Sequence, residues 1–154
     1  MKLNLNYKIN TNSSYIWLLA LGVFIAHIIF STIGWNNTIL GHHDFRQTQT
    51  AITVQSILEE GVRLDYGTPV LGKPWSTPLE LPIFQWFVVL TIKIFDLDII
   101  PAGRLISLLF FYLSLIPFYF IIRRFTKNNY EAFLPLIFVL SCPLYIFWSR
   151  SFMI

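Results

Sequence analysis

The chain has 154 residues, 55% of them hydrophobic, 18% aromatic and only 12% charged, with a mean hydropathy of +0.61. A soluble domain carries about a quarter of its residues as charges, so this composition excludes one and points to an integral membrane protein. The net charge of +3 and isoelectric point near 9.1 do not indicate nucleic acid, because the lysines and arginines stand singly or at the ends of apolar runs, where they orient a membrane chain.

The first apolar run, Tyr15 to Trp35, has about the 20 residues needed to cross a bilayer. It contains no charge, and Trp17 and Trp35 lie near its ends, where aromatic belts sit. The run is longer than the apolar region of a signal peptide, the alternative reading, and no small-x-small cleavage site follows it. We read residues 15–35 as a first span. His27 within it is either a ligand or proton carrier, or a side chain hydrogen-bonded to a neighbouring helix; the second reading is the plainer one.

Residues 36–104 read as one large loop, punctuated by turn residues up to Pro82. Within it, the spacing predicts a helix over 46–60, with Asp44 and Gln47 as its N-cap and N3 partner and Gly61 as its stop. Ala51, Val54, Ile57 and Leu58 fall on one face of that helix, and Arg46, Gln49, Thr53, Ser56 and Glu60 on the other. It is expected to lie along the membrane surface, apolar face inward. A second apolar segment, 81–95, is interrupted by Gln85 and Lys93 and is short of a span.

The runs 105–122 and 133–148 are the remaining candidate spans; their prolines, Pro117, Pro135 and Pro143, are tolerable where neighbouring helices satisfy the freed carbonyls. Lys2 and Lys8 precede the first span and Arg123, Arg124 and Lys127 follow 105–122, and the positive-inside rule wants both groups cytoplasmic. An even number of crossings must then separate them, so 81–95 does not cross. The predicted fold is an all-α membrane protein with three transmembrane helices and two juxtamembrane surface helices, 46–60 and 81–95, in a large non-cytoplasmic first loop. Residues 123–132 form a cytoplasmic turn, and a four-span topology is the competing one. The protein is expected to be multi-pass in the cell membrane, as a single membrane domain without repeats or a soluble domain. Cys142 is the single cysteine, so no intrachain disulfide and no cysteine-based metal site is available.

The polar run Gly41-His42-His43-Asp44-Phe45-Arg46 stands out in so oily a chain, because each such group at a membrane surface must be hydrated, paired or used. With Glu59, Glu60, Asp65, Glu80, Arg63 and Lys73, it offers carboxylates beside cations. That set suits a reaction between a polar acceptor and a phosphate on a lipid: a carboxylate deprotonates the acceptor, and cations hold the departing phosphate. Plainer readings stand beside it, Asp44 as a helix cap, the histidines as solvated loop residues, and Lys73 as a side chain reaching for headgroups. No metal site is expected.

The ordered pieces His43-Asp44-Phe45-Arg46, Gly72-Lys73-Pro74-Trp75, residues 81–95, Ala102-Gly103-Arg104-Leu105 and Arg123-Arg124-Phe125 resemble the N-terminal part of the GT-C class of integral-membrane glycosyltransferases. The resemblance is to the protein O-mannosyltransferase and aminoarabinose-transferase-like group, which uses polyprenyl-phosphate sugars. It implies Asp44 as catalytic base, Arg46 positioning it or the phosphate, Lys73 on the lipid phosphate, and His43 and Glu80 near the substrate. Two departures mark this chain: His43 stands where the group has the first acid of a pair, and Gly72 where it commonly has a Glu. Glu80 is the nearby carboxylate that could replace the missing acid.

The resemblance covers about the first quarter of such enzymes, and the chain stops soon after its last apolar run. It therefore implies an N-terminal fragment, expected to be inactive alone. Its partners would be membrane lipid, a polyprenyl-phosphate sugar donor and the remaining transmembrane helices of the full-length enzyme, with no cofactor. A small non-catalytic membrane subunit or scaffold is the alternative from a different class.

Overall fold

An apolar stretch without charge or proline gives the first helix, α1 (Ser13–Thr32), whose 20 residues extend about 30 Å at 1.5 Å each. The computed structural model describes residues 13–39, 44–62, 64, 81–126 and 130–152, and among them every regular element is a helix. After α1 come α2 (Asp44–Glu60), α3 (Ile83–Phe95), α4 (Ile99–Arg123), α5 (Phe133–Ser141) and α6 (Pro143–Trp148).

Two of these helices, α1 and α4, are long and apolar enough to cross a membrane, with mean hydropathies of 2.0 and 2.4. Only 11% and 17% of their apolar windows are buried inside the protein, whereas the core helix of a soluble domain is mostly covered. α4 begins at Ile99, earlier than the expected 105, because Pro101 sits in the first turn, where a helix needs no N–H donor. Pro117 lies inside the same helix without ending it.

The third expected span is not one continuous helix. Residues 133–148 form two short helices rather than one, since Pro143 holds Cys142 in an extended conformation (φ −74°, ψ 121°) and opens α6 as a new helix. Neither piece has the roughly 17 residues that a crossing needs.

Side chains fix how the long helices run. His27 of α1 meets Tyr112 of α4, and Gly34 and Trp35, just beyond α1, meet Arg104 in the second turn of α4. The two helices are therefore antiparallel, with the start of α1 and the end of α4 at one end of the bundle. Phe133 packs on Tyr119 at that end (ring centroids 5.1 Å apart), and Arg150, after α6, reaches Ser31 at the other. Together α5 and α6 thus run the length of α1, parallel to it.

At the Arg104 end, α2 and α3 pack on the first turns of α4. Val54, Ile57, Phe84, Val88, Val89, Ala102, Ile106 and Phe152 form the main apolar core there. α2 begins at Asp44, two residues before the expected start, and ends where Gly61 takes φ +93° and its N–H bonds to the Ile57 carbonyl.

The faces of α2 differ from expectation. Val54 and Ile57 are buried as predicted, but Gln49 and Thr53, assigned to water, are buried too. Thr50 and Thr53 donate their hydroxyls to the carbonyls of Arg46 and Gln49, both at 3.0 Å, so their polarity is met within the helix and costs little to bury. The expected capping pair is also absent. Asp44 Oδ1 accepts from the adjacent Phe45 N–H at 2.7 Å, and Gln47 Oε1 accepts from the Phe152 N–H at 3.2 Å.

Phe152 closes this core. It is fully buried, the Ser107 hydroxyl donates to the neighbouring Ser151 carbonyl at 2.7 Å, and its ring lies directly on Gly103, where a Cβ would collide with it. Gly103→Ala should therefore lower unfolding stability by about 1–3 kcal/mol, the usual cost of overpacking. Gly22→Ala, with open space around it, should be neutral or stabilising because alanine favours the helix. Denaturation of both variants in one detergent compares them; equal stabilities would contradict the packing.

Candidate functional site

Of the sequence-predicted site residues, Asp44 and Arg46 are placed; His43, Lys73 and Glu80 lie outside the described residues. Asp44 is the first residue of α2 and its side chain is exposed. A negative charge is favourable there, at the positive end of the helix dipole. Arg46, half-buried, is two residues on, which turns it roughly 200° around the helix from Asp44. Its Nη1 reaches toward Gln49 Oε1 at 3.5 Å. α2 thus holds the acid and the base-adjacent cation on different sides, and does not by itself bring them together.

The strongest polar cluster lies one turn away and was missed as a site. Arg104, only 8% exposed, donates from Nη1 to the carbonyls of Gly34 (2.9 Å) and Trp35, and from Nη2 to that of Asn37 (2.9 Å). Arg150 donates from Nη1 to the carbonyls of Ser31 (3.4 Å) and Ile33. Both guanidinium groups therefore grip the C-terminal end of α1 and the turn after it, where helical carbonyls run out of N–H partners. Gln47, from the first turn of α2, lines the same pocket of about 210 Å³ with both arginines. The signal available in the sequence was the cost of an arginine next to a long apolar run, which demands a defined partner. In the sequence Arg104 stands out only as part of the Ala102-Gly103-Arg104-Leu105 motif, and nothing marks Arg150.

A second polar group sits between α1 and α4. His27, 1% exposed, makes a 2.8 Å hydrogen bond from Nδ1 to the Tyr112 hydroxyl, lies 3.3 Å from the Ser31 hydroxyl, and stacks on Phe111. The plainer expectation for this histidine, a bond to a neighbouring helix, is the one the structure displays. Towards the other end of the bundle, an apolar cavity of about 580 Å³ separates α1, α4 and α5, lined by residues such as Trp17, Phe24, Tyr119 and Phe133. No cluster of three or more His, Cys, Asp or Glu side chains suited to a metal ion occurs among the described residues.

Arg104→Gln removes a charged donor from three carbonyls at once. Hydrogen bonds to charged groups contribute about 1.5–3 kcal/mol, so unfolding stability should drop by at least that amount. Arg123→Gln, on an exposed side chain, should stay within about 0.5 kcal/mol of wild type. Equal losses in a detergent unfolding assay would remove Arg104 from this anchoring role.

This geometry stands without a relative to compare: no family model, curated protein or solved structure matches the chain.

Proposed function

We propose that the chain is the N-terminal portion of an inverting GT-C glycosyltransferase that moves a sugar from a polyprenyl-phosphate donor to an acceptor on the non-cytoplasmic side. The observation that supports this reading best is the position of Asp44. Its carboxylate is exposed at the first residue of α2, while the body of α2 is anchored through Val54 and Ile57. A fixed helix presenting an exposed carboxylate beside a membrane-length helix is what a base acting on a lipid-borne substrate requires.

In the proposed step, Asp44 takes the proton of the acceptor hydroxyl as its oxygen attacks the anomeric carbon of the sugar. The new carbon–oxygen bond forms opposite the one to the donor phosphate, which breaks with its electron pair on the leaving phosphate. One in-line displacement inverts the anomeric centre. Arg46 and Lys73 are assigned to stabilise the phosphate as it leaves, with His43 and Glu80 near the substrate. The remaining helices of a longer protein would complete the donor pocket.

The reading includes three membrane crossings, α1, α4 and the broken pair α5–α6, with α2 and α3 at the non-cytoplasmic surface. A helix broken at proline is admissible in a membrane where its freed backbone groups are covered by protein. An impermeant thiol reagent should label Thr126→Cys only from the cytoplasmic side and Thr68→Cys only from the opposite side. Labelling of both from one side would exclude this topology.

Asp44→Asn, assayed for sugar transfer in the full-length enzyme, should lower the rate by about 10²- to 10⁴-fold, as loss of a catalytic base does. Asparagine serves equally well at a helix N-terminus, so a purely structural Asp44 predicts near-normal transfer. That outcome would favour the alternative, a non-catalytic membrane subunit.

A further inference from the structure

Arg104 and Arg150 bring two guanidinium groups to one pocket with no carboxylate paired to either among the described residues. Arg104 is more than nine-tenths buried, and Arg150 is near enough for its charge to act on Arg104. Their visible compensation is the C-terminal end of α1, worth about half a negative charge. Two full positive charges against that half leave an excess of about 1.5 charges. Repulsion between like charges in a half-closed pocket is costly unless an anion joins them.

The donors are not exhausted. The carbonyls of Ser31, Ile33, Gly34, Trp35 and Asn37 engage Nη1 of both arginines and Nη2 of Arg104. Among the described residues Nε of both and Nη2 of Arg150 have no hydrogen-bond partner, and a guanidinium offers its N–H groups in a fork that suits an oxyanion. The pocket holds about 210 Å³, and Asn37, Thr38 and Ser151 add polar groups to its wall. Its depth is also informative. It lies just beyond the end of α1 and against the second turn of α4, which is where a crossing helix leaves the hydrocarbon and meets the headgroups.

We propose that this pocket binds the phosphoryl group of an anionic ligand, through Arg104 and Arg150. The ligand class is a phosphate or phosphate ester, whether free or carried by a lipid. This site stands independently of the glycosyl-transfer reading, because its evidence is the arginine pair and its test reads binding rather than turnover.

The full chain in a neutral detergent at low salt is titrated calorimetrically with inorganic phosphate and with short-chain phosphatidic acid. Wild type should bind at least one of them saturably. Comparable binding of both assigns the phosphoryl group alone, and binding of phosphatidic acid only assigns a lipid headgroup.

Arg150→Gln should weaken binding at least tenfold, whereas Arg150→Lys should keep part of it. Should Arg150→Gln lose its helical circular dichroism, Asn37→Asp decides instead. That near-isosteric change sets a carboxylate beside the guanidinium groups, leaves the Asn37 backbone carbonyl in place for Arg104, and should also cut affinity at least tenfold. Failure of wild type to saturate with either probe, or undiminished affinity in a folded Arg150→Gln or Asn37→Asp variant, would overturn the site.

Discussion

The arrangement at the non-helical end of α1 rests on Arg104. A helix end leaves its last carbonyls short of intrahelical N–H donors, and the turn after α1, from Ile33 to Asn37, has carbonyls of its own to satisfy. Arg104 donates from α4 to three carbonyls of that turn, and Arg150 donates from beyond α6 to Ser31 at the helix end and to Ile33. One cation therefore ties the end of the first long helix to the start of the second, and another ties in the segment after the last helix. This junction also fixes where the chain sets off toward α2, since Ile39 lies only five residues before Asp44.

Above that junction the bundle is held differently. α1 and α4 meet through large side chains, with the Phe24 and Tyr112 ring centroids 5.1 Å apart and His27 bonded to Tyr112. Aromatic rings hold the two backbones apart and leave the apolar cavity between them and α5. Interhelical hydrogen bonds in membranes contribute only about 0.6 kcal/mol on average, so the His27–Tyr112 bond selects a register more than it binds the helices. Long side chains thus bridge α1 and α4 along their length, the Arg104 guanidinium at one end and aromatic rings towards the other.

The long apolar runs, the antiparallel sense of α1 and α4 and the stop at Gly61 were legible in the sequence, because hydropathy over 20 residues and a glycine after a helix each have one dominant physical meaning. The break at Cys142–Pro143 was less so. A proline in an apolar run is compatible with a kinked span or with two helices, and only the conformation of Cys142 decides. Gln49 and Thr53 of α2 are buried against expectation for a related reason, while Glu60 is exposed as expected. Helical periodicity sorts residues by side-chain polarity, yet Thr53 satisfies its hydroxyl on the Gln49 carbonyl of its own helix, so burial costs it little. Asp44 was visible as a candidate because a carboxylate is conspicuous in an oily chain. The Arg104–Arg150 pair was not, since 46 residues separate them and their meeting depends on how α5 and α6 return along α1.

Charge distribution around the first turn of α2 then follows from what the arginines already do. Gln47, one turn from Asp44, lines the arginine pocket, whereas Asp44 itself does not. An ion pair between a carboxylate and either arginine would satisfy both charges internally. The partners of the two guanidinium groups are instead the carbonyls of Ser31, Ile33, Gly34, Trp35 and Asn37. They orient both guanidinium groups with partial charges rather than a full one, holding the cations in place without neutralising them. A carboxylate used for the same anchoring would neutralise the cations it held; anchoring by carbonyls leaves their full charge in place.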